Sequence, residues 1–286
     1  MLIKDKKGAV IKVLSTIEVI ELHELLSTHP QIIGLTERIF PTGVKNMHLL
    51  ESAVSRQYVG FGEDSKYNSV YSSCATLVFG IAFNHAFHNG NKRAALLSMI
   101  KHLYRNGLVL PSALDPDDLY YFLTCLVDRS IKKYVNRYKQ YERFYRSVYG
   151  KRRKYHEPSD QHVKFIEGWL KKNTVPYSES GRPVDWTTLL NKLANMGLKS
   201  KYNFAKQEIS IQRTEARFFS LLTKTYEKTY SFEGTQCPLS TVGKIRRDFD
   251  LTTAHGFDIS AFHTEKTFLN EEIILFKQVI YRLSDG

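Results

Sequence analysis

Nine consecutive residues, His85-Ala-Phe-His-Asn-Gly-Asn-Lys-Arg93, concentrate the chemistry of this 286-residue chain. An imidazole accepts a hydroxyl proton at neutral pH, which makes His85 the candidate general base. Gly90 and Asn91 stand where a helix begins, and a helix start offers unpaired backbone N–H groups and the positive end of the helix dipole to an anion. Lys92 and Arg93 add two fixed positive charges in the first helical turn. Cations there are normally unfavourable, so their placement points to a bound negative group, with phosphate the obvious candidate. Asn89 can hold a phosphate oxygen or, less strongly than a carboxylate, a Mg²⁺ ion. Phe87 reads as a buried plug that fixes the loop. Base and anion cradle, five to eight residues apart, suit transfer of a phosphate-containing group to a hydroxyl.

Two apolar helices must hold this turn. Val70 to His85 is apolar on nearly every side and belongs at a domain centre; Lys92 to Asn106 resumes helical periodicity and stops at Gly107. Ahead of them, Ser15 to Leu26 predicts an opening helix with Ser15 as cap, and Met47 to Arg56 a short second helix after the loop IFPTGVKN. The segment VGFGEDSKYN predicts an exposed loop or small hairpin. Asp115 to Leu126, with Pro116 at its first position, predicts another helix.

The charge of +12 excludes neither an enzyme nor a binder. Its excess sits between Arg129 and Lys154, where eleven Lys or Arg accompany one acid, Glu142. Tyr134, Tyr138, Tyr141, Tyr145 and Tyr149 form an aromatic stripe on a helix through this stretch. Such a helix could contact nucleic acid by stacking and phosphate pairing; packing its tyrosines on the domain while the basic groups reach solvent is the preferred reading. The helix ends at Gly150 before KRRK, so the expected organisation is a first domain over residues 1–150, a linker at 151–158 and a second domain over 159–286. In the second, Ser159 to Lys172, Asp185 to Met196, Arg217 to Tyr226 and Glu271 to Leu283 predict helices and Gln207 to Arg213 a strand. Ser240 to Leu251 superficially resembles a helix-turn-helix recognition helix but lacks a convincing first helix. The expected fold class is mainly α, with a second domain that is α+β or mostly helical. Three well-separated cysteines, Cys74, Cys125 and Cys237, predict buried thiols rather than a zinc cluster or disulfides. No apolar run is long enough to span a membrane and no secretory leader is recognisable, so a cytoplasmic protein without a membrane partner is expected.

HAFHNGNKR resembles the Doc (death-on-curing) branch of the Fic/Doc family, whose pattern is His-x-Phe-x-Asp/Asn-Gly/Ala-Asn-Lys-Arg. GVKNMHLLESAVSR before the motif and RAALLSMIKHLYRNGLVL after it extend the similarity over about Val10 to Asp128. The resemblance implies a compact helical Fic fold over this part and an enzyme that uses ATP, with Mg²⁺, to modify a protein hydroxyl. It makes His85 the base or the group that positions the hydroxyl, with Lys92 and Arg93 beside it in catalysis. Phe87 falls in the core, and Asn89 takes the metal-linked acidic position. Gly90, Asn91, Lys92 and Arg93 line the nucleotide phosphates. The loop from about Tyr58 to Tyr67 becomes a flap that docks a target segment by strand addition. Lys92 and Leu96 stand where the adenylylating branch usually has Gly and Arg, which favours phosphoryl transfer over AMP transfer. Asn89 in place of the commoner Asp leaves a weakened or silenced enzyme, or a non-catalytic scaffold binding nucleic acid or a partner, as alternatives. Family analogy names a translation factor such as elongation factor Tu as target and a cognate antitoxin as partner. TYSFEG, at Thr229 to Gly234, matches the family's inhibitory pattern but is read as coincidence.

Overall fold

The computed structural model describes residues 2–4, 10–28, 41–61, 64–150, 158–177, 184–216, 223–232, 234–251 and 265–284. The chain is mainly helical with small sheets, and it divides into two compact units. The first comprises Met1–Pro176 and Leu269–Gly286; the second is Tyr177–Phe268.

The first unit is built round the helix α3. It follows an N-terminal hairpin of β1 (Leu2–Lys4) and β2 (Val10–Lys12), α1 (Thr16–Thr28), α2 (Met47–Ser55) and a second hairpin of β3 (Gly60–Phe61) and β4 (Asp64–Ser65). α3 spans Val70–Asn84 and opens on a reciprocal capping box, in which Ser69 and Ser72 each accept from the other's backbone N–H. Every residue from Ser72 to Ala82 is buried, as an all-round apolar helix requires. A Cβ on Gly80 would lie 2.8 Å from both the Cα and the carbonyl oxygen of Ala53, so α2 crosses α3 where only glycine fits.

α4 (Asn91–Arg105) returns along α3, followed by β5 (Leu108–Val109) and α5 (Pro116–Val127), capped by Asp115 as its Pro at the first position predicts. The tyrosine stripe is not one helix. It breaks at Tyr138 into α6 (Ile131–Arg137), a 3₁₀ turn at Lys139–Tyr141 and α7 (Glu142–Tyr149). Tyr134 and Tyr141 both donate to the buried carboxylate of Asp118. Positions seven apart on a continuous helix lie about 10 Å apart along its axis, too far to share one carboxylate, and the break removes that distance. The Trp169 indole donates to the same group at 3.3 Å and stacks on Phe122 with ring centroids 4.0 Å apart. The stripe therefore faces the core of its own unit.

Trp169 lies on α8 (Pro158–Asn173), which packs against α3 and α7; β6 (Val175–Pro176) then pairs with β5. The first unit thus runs on to Pro176, past the boundary read from the sequence at 151–158. Residues 151–157 of that linker lie outside the described residues. The basic run had marked a break in composition, whereas the contacts of α8 decide the unit. The chain re-enters this unit at Leu269, within α11 (Glu265–Leu275), and ends on α12 (Lys277–Arg282). There Arg282 pairs with Asp117 and covers the Tyr120 ring at 4.0 Å.

The second unit mixes helix and strand. α9 (Trp186–Asn195) is capped by the Asp185 carboxylate. It precedes an antiparallel sheet in the order β10-β9-β8, formed by β8 (Leu198–Asn203), β9 (Glu208–Ala216) and β10 (Thr223–Ser231). β7 (Val184–Asp185) pairs with β11 (Gln236–Cys237), and α10 (Leu239–Asp248) follows. Leu189 and Leu193 of α9, Val242 and Ile245 of α10, and Ile209 and Ile211 of β9 share one core, so both helices cover the same sheet face. Two expectations change here. Thr223 onward is a strand rather than the end of a helix, because Thr223-Lys-Thr-Tyr-Glu-Lys-Thr-Tyr alternates and pairs residue by residue with β9; residues 217–222 lie outside the described residues. The recognition-like stretch at Ser240 is the sheet-packing helix α10. Thr229 to Ser231 of the TYSFEG segment lie in β10. Among the described residues no helix is long and apolar enough to cross a membrane, and all three cysteines are buried and free.

Candidate functional site

The turn between α3 and α4 is held from three directions. α3 ends on His85, whose backbone is left-handed at φ 46° and ψ 47°. That conformation costs a non-glycine residue about 1–2 kcal/mol, and its occurrence here marks a residue whose direction is dictated by its surroundings. Gly90, at φ 76°, makes the second left-handed turn and caps α4. Between them the segment at Gly43–Asn46 runs alongside: Lys45 and Asn46 donate to the Ala86 carbonyl at 2.8 and 3.0 Å, and His88 N donates to Gly43 O at 3.2 Å. Asn91 closes the loop from within. Its side chain accepts from Phe87 N and donates to Phe87 O, each at 3.0 Å. Asn89 Oδ1 accepts from the Gly90 N–H at 2.6 Å.

These turns open a cleft of about 320 Å³ lined by His85, His88 and Asn89 through Lys92 of the motif together with Val127, Asp128 and Leu283. His85 and His88 are exposed, Asn89, Asn91 and Lys92 half-buried, and Gly90 buried. A base and a helix N-terminus therefore share one space. The first N–H groups of α4 precede its hydrogen-bond ladder, which starts with Ala94 N donating to Gly90 O at 2.8 Å.

Phe87 lies in the core with 1 % of its surface exposed, as read from the sequence. Arg93, likewise 1 % exposed, lies in the interior and not among the residues that line the cleft. Each helical residue turns about 100°, so with Asn91 and Lys92 turned toward loop and cleft the next position faces the interior. Leu96 is fully buried, so this position of α4 brings no cation to the site.

Four contributors escaped the sequence reading. His88 stands in the motif without an assigned task; Asp128 and Leu283 come from distant segments that no spacing rule connects. His23 had a visible signal, because it occupies the apolar face of α1 with Val19, Leu22 and Leu26. Its Nε2 donates to the Asn89 carbonyl at 2.8 Å and its ring stacks on Phe87. Burial pushes the His23 pKa down, the Asn89 hydrogen bond opposes this, and the Arg93 charge pushes it down further.

For a divalent cation the oxygen donors lining the cleft are the Asn89 amide and the Asp128 carboxylate, and among the described residues no group of three His, Cys, Asp or Glu is arranged for a metal. Mg²⁺ usually binds through one or two carboxylates plus substrate phosphates, so this donor set fits an ion that arrives with a nucleotide rather than a resident one.

The fold and cleft define a helical domain in which a helix N-terminus opens onto a cleft beside exposed histidines. Residues 13–103 match the family model described as Fic/DOC family, a span running from just before α1 into the last turn of α4 and including the whole motif. No curated protein and no solved structure gives a significant match to the chain.

Proposed function

We propose that the chain is a nucleotide-dependent transferase that moves the γ-phosphoryl group of ATP to a hydroxyl of a target protein. The observation that carries this reading is the shared cleft of His85, Asn89, Gly90, Asn91 and Lys92. The Fic/DOC match supports the general class, since proteins of that family are typically protein-modifying transferases that use nucleoside triphosphates with a metal.

In this reading the nucleotide phosphates lie against the first N–H groups of α4 and the Lys92 ammonium. His85 takes the proton of the target hydroxyl as its oxygen forms a bond to the γ-phosphorus. The bond from that phosphorus to the bridging oxygen breaks, and ADP leaves with the negative charge the helix start and Lys92 stabilise. Asn89 and Asp128 are the residues that would hold a Mg²⁺ ion, which would supply further charge neutralisation when bound. Arg93 contributes to the field from the interior. The hairpin β3–β4 offers the edge for a target segment, with Gly60 paired to Ser65 and Phe61 to Asp64. That the target is a translation factor such as elongation factor Tu, and that a cognate antitoxin restrains the enzyme, rests on the resemblance to the Doc branch alone.

Labelled ATP in cell lysate tests the proposal, with γ- and α-label run separately. A protein band carrying γ-label only, lost in His85→Ala, is the expected result. Transfer of α-label instead would make the reaction adenylylation, and ATP binding without any transfer would leave a non-catalytic scaffold.

A further inference from the structure

One side chain outside the motif touches it at several points. His23, 1 % exposed, lays its ring flat on Phe87 with centroids 4.1 Å apart and planes 4° from parallel. A phenylalanine there would stack equally well. The histidine adds a donor, and that donor meets the carbonyl of Asn89, the residue directly before the left-handed Gly90 from which α4 starts. The Asn89 carbonyl lies ahead of the α4 ladder, so the helix does not supply its partner.

We propose that His23 is a positioning residue for the phosphate end of the cleft: its Nε2–H fixes the Asn89 carbonyl and thereby the direction in which the N–H groups of Asn91 and Lys92 meet a nucleotide's phosphates. The inference rests on the nucleotide-binding reading of the same cleft. Asn91 clips the loop to itself at Phe87, whereas His23 ties Asn89, between those two residues, to α1, a different element.

The test is calorimetric titration of the full chain with ADP and Mg²⁺, alongside thermal melting. His23→Phe keeps the stack and removes the donor; it is expected to weaken ADP binding about tenfold, the scale of leaving one buried acceptor unpaired. His23→Gln keeps an amide donor and loses the ring, and it is expected to retain affinity within about threefold while melting lower. Val19→Ala, on the same buried face of α1, is expected to lower stability without changing ADP affinity. Equal ADP affinity in wild type and His23→Phe overturns the positioning role, as does a loss in Val19→Ala as large as that in His23→Phe. Should His23→Phe not fold, a tenfold loss in folded His23→Gln overturns it as well. A wild-type chain that does not bind ADP sinks the transferase reading and this inference together, which distinguishes the two failures.

Discussion

Replacing Asn91 by alanine separates two roles for one motif residue. The sequence pattern places Asn91 among the phosphate ligands, while the structure gives its side chain two hydrogen bonds to the backbone of Phe87, each 3.0 Å long. Phe87 is almost fully buried, so truncation leaves a donor and an acceptor to find water at the edge of the cleft. An orphaned buried group costs about 1–3 kcal/mol; water entering from the half-open side reduces the pair to about 2–3 kcal/mol in total. Alanine's better helix propensity returns about 0.5 kcal/mol, leaving a net loss of about 2 kcal/mol, or about thirtyfold in the folding equilibrium. The chain has two tryptophans, Trp169 in the first unit and Trp186 in the second. Urea unfolding followed by fluorescence in a Trp186→Phe background therefore reports the first unit alone. The expected result is a lower midpoint at unchanged slope, without any ligand present. A stability change below about 0.5 kcal/mol, with ADP affinity nonetheless lost, would refute the loop-clip argument and return Asn91 to direct phosphate binding.

Lys92→Ala is expected to weaken ADP binding at least about tenfold, the scale of a charge-assisted hydrogen bond, with the urea midpoint unchanged; titration calorimetry and the Trp169 signal read the two effects. Gly80→Ala would set a Cβ 2.8 Å from the Ala53 backbone, and since neither helix has a side chain to move aside, a loss of about 1–3 kcal/mol is expected in the same urea assay; an unchanged midpoint would mean that α2 and α3 separate freely. Glu18 links α1 to α4 through Arg105 and Lys101; burial pushes its carboxyl up, but the hydrogen bonds from Arg105 and Ser15 and the two positive charges outweigh this and hold it at about 2, below the ordinary 4.5 of a glutamate. A depressed folded-state pKa stabilises above the unfolded value and is lost on acidification. The stability gap between wild type and Glu18→Gln should therefore be widest at neutral pH, at most about 3 kcal/mol, and close as pH falls from 4.5 toward 2; a gap independent of pH would refute the ionised pair.

Much of the first unit was legible because its signals are local. The all-round apolar stretch of α3 predicts a central helix, Asp115-Pro116 predicts where α5 starts, and Ser15 caps α1 through Glu18, which donates from its backbone to Ser15 Oγ at 3.3 Å. The turn at His85–Arg93 was legible for the same reason: a glycine, a capping asparagine and a charge pair are constraints on adjacent residues. Where the reading failed, a distant partner decided the outcome. Tyr134 and Tyr141 look like one helical stripe until the carboxylate of Asp118 requires both hydroxyls, and Arg217 to Tyr226 reads as helix until β9 supplies hydrogen bonds to Thr223 and the residues after it.

The cleft makes the same distinction in functional terms. Its chemically active side is a run of consecutive residues, and the matching family span ends at residue 103. The rest of its lining is Val127 and Asp128 at the end of α5 and Leu283 beyond α12. Leu283 joins the cleft only through α12, which packs on α5 through Arg282 with Asp117 and Tyr120 after the chain has left the first unit at Pro176 and returned at Leu269. In the proposed reading the phosphate end can therefore be encoded in a short motif, because phosphates need only a helix start and a cation. The remaining lining depends on how the rest of this chain folds back. The Asp128 carboxylate, at the carbonyl end of α5 where a negative charge is not favoured by the helix itself, lines the same cleft as Lys92, so its placement there is one that a cation brought in with the ligand would favour.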